Sequence, residues 1–182
     1  MANSSSTDPG LRNRFFIFLA LAVIAMLVMR YITHGLGSRS IIDFEMAKTT
    51  DRVMQLLTSW DSTYIERFIN GIYADFGFII GYAGALFFGA RYLGQLSGHY
   101  ILRKAGIIFS FFALFAGLFD VIENIGMLTT LYFRPIGWVV HFTYDMAVLK
   151  FSLVLIVILF MVICLLFWLL NIVSGQNKKF TV

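Results

Sequence analysis

Two carboxylates and one carboxamide interrupt a long apolar run between residues 105 and 131: Asp120, Glu123 and Asn124. An ionisable side chain near the centre of a bilayer costs about 2.5 to 3.5 kcal/mol on insertion scales, so each carboxylate there needs a compensating partner or a proton. Two carboxylates held close together share a proton and titrate as a pair, which suits proton-linked binding or acid and base catalysis. These residues are therefore the first candidates for function.

The three residues lie at i, i+3 and i+4, a spacing that places them on one side of a helix. Residues from other segments are expected at the same level of the membrane and complete the predicted ligand-binding set: Asp75, His141, Asp145 and Lys150. Lys150 either extends its stem toward the headgroups or neutralises Asp120 or Glu123. We predict that these side chains line a polar pocket in the outer half of the protein.

Several interpretations of this cluster stay open. In the structural one, the carboxylates pair with Lys150, Arg67 or Arg134 and fix the register of the helices. In the second, the cluster binds a lipid headgroup, a small amphiphile or a cation, coupled to protons. In the third, an intramembrane enzyme uses one carboxyl as general acid and a histidine or the other carboxylate as base. A metal site has the weakest signal, because no HExxH motif or cysteine ligand accompanies these residues.

The composition defines the class of molecule. Of the 182 residues 59% are hydrophobic and only 13% charged, with a mean hydropathy of +0.83, whereas roughly half of the residues in a soluble domain are apolar. The net charge of +4 is the excess of 14 scattered Lys and Arg over 10 Asp and Glu, so we expect membrane lipids and no nucleic acid as partners. A membrane-protein partner or a second copy of the chain stays open, and we predict no cofactor and no metal.

The predicted fold is all-α, a polytopic membrane protein with four transmembrane helices in a bundle and a short amphipathic helix in the first outer loop. About 20 apolar residues cross a bilayer as a helix, and the spans are expected at residues 15–34, 64–92, 104–132 and 146–172. They form a single domain, 15–172, between a disordered tail, 1–14, and a C-terminal tail, 173–182. The basic residues before the first span also fit a signal peptide, although no small-residue cleavage site follows.

Small residues predict which spans pack together, because helices in lipid associate through close approach of their backbones. The second span contains Gly77 and Gly81 at small-xxx-small spacing, and the third contains Ser110, Ala113 and Gly117. We therefore expect the second and third spans to form the central pair, with the first and fourth more exposed to lipid.

Basic residues in the short loops predict the orientation. The link between the second and third spans carries Arg91, Arg103 and Lys104 without an acid, and the C-terminal tail carries Lys178 and Lys179. Because such residues favour the cytoplasmic side, both termini are expected in the cytoplasm.

The outer loop, residues 35–63, contains one helical pattern and one alternating pattern. Apolar residues recur at i, i+3, i+4 and i+7 in Val53, Leu56, Leu57 and Trp60. This spacing predicts an amphipathic helix that lies on the outer membrane face or covers the bundle. Over residues 42–46, apolar side chains alternate with Asp43 and Glu45, which favours an extended segment whose two acids face water.

A resemblance supports this architecture. The stretch 42–49, the helix ending at Trp60, Asp75-Phe76 and residues 120–124 look like those of a group of small prokaryotic four-helix membrane proteins of uncharacterised activity. The similarity covers most of residues 40–130. It implies four helices and a location in the inner membrane, and it brings no activity with it.

Together these observations favour binding of a lipid, small amphiphile or cation at the polar pocket. The leading alternative is an accessory or structural subunit of a larger membrane complex, and the next is an intramembrane enzyme. A pocket that opens toward lipid would support the first, while a dry and fully paired polar cluster would support the second.

Overall fold

The computed structural model describes residues 8–37 and 40–174, and this part of the chain consists of helices and their connections. The helices are α1 (Pro9–Ile32), α2 (Ser40–Glu45), α3 (Thr50–Thr58), α4 (Ser62–Leu96), α5 (Tyr100–Tyr132) and α6 (Gly137–Val173). Four of them, α1, α4, α5 and α6, are each long and apolar enough to cross a membrane. The described chain is therefore all-helical and has the features of a membrane protein with four spans.

The first helix begins earlier than predicted. The side chain of Asp8 caps the helix by accepting a hydrogen bond from the Gly10 N–H at 2.8 Å. Pro9 occupies the first turn, where a backbone N–H has no acceptor within the helix, so proline costs no hydrogen bond there. Residues 9–14 are therefore helical, and their assignment to a disordered tail was wrong. Residues 1–7 of that tail, and residues 175–182 of the C-terminal tail, lie outside the described part of the chain.

The other long helices also begin before the predicted spans, because the prediction followed the longest apolar runs and the helices continue beyond them. α4 begins two residues early, where Asp61 caps it by accepting a hydrogen bond from the Tyr64 N–H at 2.7 Å. α5 begins at residue 100 instead of 104, and α6 at residue 137 instead of 146. The start of α6 follows Pro135, which cannot continue a helix from the preceding segment.

Helix α2 stands where the alternating pattern of residues 42–46 predicted an extended segment. Phe44 and Glu45 are buried whereas Asp43 is exposed, and the ring of Phe44 lies 5.2 Å from that of Phe68 in α4. Five alternating residues are too few to distinguish strand from helix, and packing against α4 favours the helix. The prediction that Glu45 faces water was therefore wrong.

An aromatic cluster of Phe44, Trp60 and Phe68 holds the segment between α1 and α4 in place. The Trp60 ring lies 4.9 Å from Phe68 and 5.8 Å from Phe44, and Phe68 is 0% exposed. Val53 of α3 is also buried and belongs to the same hydrophobic core. The cluster thus fixes α2 and α3 against the start of α4.

Helix α4 contacts α1, α5 and α6, and α5 also contacts α6. Toward the α4–α5 connection the two backbones approach closely, because a Cβ atom at Gly106 would lie 2.7 Å from the Ala90 carbonyl oxygen and one at Gly94 would lie 2.9 Å from that of Leu102. Close approach at small residues is how helices associate in lipid, and α4 and α5 pack together as the sequence predicted.

Gly81 and Gly77 differ in what surrounds them. A Cβ at Gly81 would lie 2.7 Å from the Ala22 Cα of α1, whereas nothing lies within 4 Å of one at Gly77. We expect Gly81→Ala to lower the free energy of unfolding by about 1 to 3 kcal/mol, because α1 must move away. Gly77→Ala should leave it unchanged or raise it by about 0.5 to 1 kcal/mol, since alanine favours the helix. Equilibrium unfolding in detergent compares the two variants, and equal effects would contradict the α1 contact.

Candidate functional site

Lys150 lies at the centre of a buried ion-pair network. Its Nζ is 2.8 Å from Asp120 Oδ1, 2.8 Å from Glu123 Oε2 and 3.4 Å from Glu45 Oε1. All four side chains are less than a tenth exposed. Asp120 and Glu123 lie one turn apart on the face of α5 that meets α6, and Glu45 reaches the same lysine from α2. One lysine therefore forms ion pairs with three carboxylates.

Two further hydrogen bonds connect this network to α4. Asn124, one turn beyond Asp120, donates from Nδ2 to Asp75 Oδ2 at 2.8 Å. The Tyr82 hydroxyl donates to Asp120 Oδ2 at 2.7 Å. The structure thus brings together Asp75, Asp120, Glu123, Asn124 and Lys150, which separate segments contributed to the predicted set.

His141 and Asp145 lie elsewhere, although they were predicted around the pocket. They form a pair with each other at 3.1 Å, with side chains 54% and 50% exposed, and neither lines the cavity described below. The reason is helical rotation: five residues separate Asp145 from Lys150, which turns the two side chains about 140° apart at 3.6 residues per turn. The prediction grouped them by depth in the membrane and neglected this rotation.

Glu45 and Tyr82 were not in the predicted set. Tyr82 follows Asp75 by two helical turns, so the spacing alone could have placed both on one face of α4. Glu45 follows Ile41 by one turn and adjoins Phe44, and a helical interpretation of this segment would have turned it inward. The interpretation of this segment as extended placed Glu45 toward water instead.

A cavity of about 640 Å³ adjoins the network. Its walls are mainly apolar and come from α1, α2, α4, α5 and α6. The polar residues in the lining are Glu45, Asp75, Tyr82, Asp120, Asn124 and Lys150. Glu123 contacts Lys150 but is fully buried and is not part of the lining. The cavity therefore has an apolar body and one strongly polar wall.

The exposed part of the cavity lining lies on α1, α2 and α6, which indicates an opening between α1 and α6. Four apolar residues of its lining are also exposed on the protein surface, namely Leu19, Ile42, Phe151 and Ile158. They belong to α1, α2 and α6, and α1 packs mainly against α4, with little contact to α6. If these helices cross a membrane, this opening faces the lipid chains.

Charges and hydrogen bonds at the polar wall are incompletely balanced within the described residues. Lys150 pairs with three carboxylates, while Asp75 has no ion-pair partner there. Glu45 Oε2, Asn124 Oδ1 and Glu123 Oε1 are buried and accept no hydrogen bond from this part of the protein. Buried polar atoms are nearly always hydrogen-bonded in native proteins, so these acceptors need a donor from another source, and of the three residues only Glu45 and Asn124 line the cavity.

Glu45, which lies outside the long apolar helices, is strongly affected by this environment. Burial raises the pKa of its carboxyl above the ordinary value. The positive charge of Lys150 opposes that rise, and repulsion from Asp120 and Asp75 adds to it. The carboxylates are thus close enough to influence one another.

The arrangement is not that of a metal centre. Among residues 8–37 and 40–174, no group of three or more His, Cys, Asp or Glu side chains could hold a metal ion. The carboxylates of Glu45, Asp120 and Glu123 surround the Lys150 ammonium, which already supplies a positive charge.

Comparison of the chain with models of protein families, with curated proteins and with solved structures gave no match. The resemblance of residues 40–130 to small prokaryotic four-helix proteins therefore stays a prediction. What the structure defines is the class, a protein with four candidate membrane-spanning helices and a buried acidic cluster beside an apolar cavity.

Proposed function

We propose that this protein binds a small amphiphile or lipid in the cavity, with the polar end of the ligand at the carboxylates and its apolar end between α1 and α6. The observation that carries the proposal is the continuity of a mainly apolar cavity of about 640 Å³ with a buried acidic wall. Ligand sites are typically concave, largely apolar and of about 300 to 1,000 Å³, with a few convergent polar groups. An amphiphile has the complementary shape and chemistry.

The proposal includes an arrangement in the inner membrane of a prokaryote, with the four long helices as a bundle. The start of α1 lies beside the end of α4, where the Asp8 N–H donates to Gln95 Oε1 at 3.1 Å. The end of α6 lies at the same level, because Asn171 donates to the Ser97 carbonyl at 2.8 Å. Basic residues flank the α4–α5 connection at this end, which supports a cytoplasmic location for it and for both termini.

In this orientation α2, α3 and the polar wall lie toward the outer side. Val53 of α3 is buried while Asp51 and Arg52 are exposed, which supports an amphipathic helix packed over the outer end of the bundle. Glu45 would then enter the cavity from this covering segment. Lipid binding and the outer location of the site are both parts of the proposal.

An accessory subunit of a larger membrane complex is the second candidate, and the exposure of α1 favours it. Most apolar side chains of α1 are exposed in the described structure, so either lipid or another protein covers them. The enzyme alternative has less support, because the fully buried Glu123 does not line the cavity where a substrate would lie.

Photolabelling in lipid nanodiscs tests ligand binding. Three dodecyl probes carry a diazirine in the chain and end in an alcohol, a carboxylate or an ammonium group. Binding in the cavity predicts that at least one probe labels Phe78 and Phe151, which line it, and that an excess of the unlabelled analogue suppresses this labelling. Peptide mass spectrometry locates the labelled residues.

A matched pair of variants on α6 controls the experiment. Val154 lines the cavity, so Val154→Trp should fill it and remove most of the saturable labelling. The neighbouring Leu155 is 58% exposed and outside the lining, so Leu155→Trp should retain it. Labelling that never saturates, or that both variants reduce equally, would contradict binding in the cavity and favour the accessory-subunit interpretation.

A further inference from the structure

Three acceptors on the polar wall lack partners in the described structure, and all belong to residues that line the cavity. Asp75 accepts a hydrogen bond through Oδ2 only and has no ion-pair partner among the described residues. Glu45 Oε2 and Asn124 Oδ1 accept no hydrogen bond there, and these two side chains are more than nine-tenths buried. The unmet requirement is therefore for hydrogen-bond donors.

The charge balance adds a second requirement. Four carboxylates, Glu45, Asp75, Asp120 and Glu123, lie in one connected network with Lys150 as its cation. Buried carboxylates are stable when they are paired with a cation or carry a proton. A second positive charge near Asp75 would balance the carboxylate that Lys150 does not contact.

These two requirements distinguish the common headgroups of amphiphiles. An alcohol supplies one donor and no charge, and a carboxylate adds negative charge to a wall that already has an excess. A primary ammonium supplies three donors and one positive charge, and its charge-assisted hydrogen bonds to carboxylates are stronger than neutral ones.

We propose that the ligand is a cationic amphiphile whose protonated amine binds between Asp75, Glu45 and Asn124, with its alkyl body in the apolar part of the cavity. This inference rests on the proposed function and names the ligand class. The amine enters through the opening between α1 and α6. It then makes the ion pair that Asp75 lacks within the described protein.

Competition among matched headgroups tests the inference. In nanodiscs of zwitterionic lipid, unlabelled dodecylamine, dodecanol and dodecanoate compete with the diazirine probes, and the affinities are corrected for partitioning into lipid. We expect dodecylamine to compete about tenfold better than dodecanol, the size expected for one charge-assisted hydrogen bond. Dodecanoate should compete least.

Variants show whether Asp75 produces this preference. Asp75→Asn should reduce the preference for the amine to near parity while retaining labelling by the alcohol probe, and Glu45→Gln should reduce it in part. Asp145→Asn removes an exposed carboxylate outside the cavity and should leave the preference for the amine unchanged. If Asp75→Asn does not fold, Glu45→Gln decides through the same ratio of amine to alcohol.

The outcomes separate the two proposals. Saturable labelling with no preference for the amine in the unsubstituted protein would overturn the ligand class and leave cavity binding intact. A preference that persists in both Asp75→Asn and Glu45→Gln would overturn the assignment of the amine to this wall. Absence of saturable labelling by any of the three probes would overturn the proposed function itself.

Discussion

Replacing Lys150 with methionine is expected to lower the free energy of unfolding by about 3 to 5 kcal/mol, the range seen when one partner of a buried ion pair is removed. The ammonium is 2.8 Å from both Asp120 and Glu123, and no other lysine or arginine in the described chain pairs with these two carboxylates. Methionine is also unbranched, is one atom shorter than lysine and carries no charge, so the loss reports mainly on electrostatics. Equilibrium unfolding in detergent, followed by circular dichroism, measures it.

Two comparisons make this measurement specific. Lys104→Met removes an exposed lysine from α5 and should change the free energy of unfolding by less than about 1 kcal/mol, because exposed charges contribute little. In the double variant Lys150→Met with Glu123→Gln, one uncompensated charge is removed as well, so part of the loss should be recovered. A loss below about 1 kcal/mol for Lys150→Met alone would contradict a network of ionised groups.

Phe68→Ala is the second substitution for which we expect a large effect, a loss of about 3 to 5 kcal/mol. The ring is fully buried and contacts both Phe44 and Trp60, so its removal leaves a void in the aromatic cluster. Since this cluster fixes α2, we also expect Glu45 to lose its position beside Lys150. Unfolding in detergent measures the stability, and limited trypsin digestion at Lys48 and Arg52 measures the release of the segment.

Phe133→Ala is the matched control, because that ring is 80% exposed and its removal leaves no cavity. This substitution should change the free energy of unfolding by no more than about 0.5 kcal/mol. It should leave the rate of cleavage at Lys48 unchanged. If Phe68→Ala destabilises the protein without faster cleavage there, the aromatic cluster is not what holds α2 in place.

The four long apolar helices could be predicted because each contains a long run of apolar residues, and a bilayer imposes a minimum length on such runs. Their ends could not, since polar capping residues such as Asp8 and Asp61 are outside the apolar pattern that defines a span. Gly77 shows a similar limit. Its spacing from Gly81 is that of a packing motif, yet only Gly81 meets a neighbouring helix, and the neighbour is α1 rather than α5.

Part of the candidate site could be predicted from the sequence because charged residues are rare in long apolar segments, so their residue type alone identifies them as candidates. Asp120, Glu123, Asn124, Asp75 and Lys150 were found in this way, and the structure joins them. The contribution of Glu45 depends on how α2 packs against α4. This is a tertiary contact, and the local sequence pattern around Glu45 does not predict it. The cavity depends on the spacing of α1 and α6, which no sequence pattern records.

The sharing of Lys150 between α2 and α5 has a thermodynamic consequence. Glu45 belongs both to α2 and to the wall of the cavity, so a ligand of the proposed kind that pairs with this carboxylate would change how firmly α2 docks. Linkage is reciprocal for binding free energies, and any factor that displaces α2 must alter the affinity of the cavity by the same amount. In the proposed orientation, displacement of α2 at the outer face of the membrane would thus be coupled to ligand occupancy of the cavity.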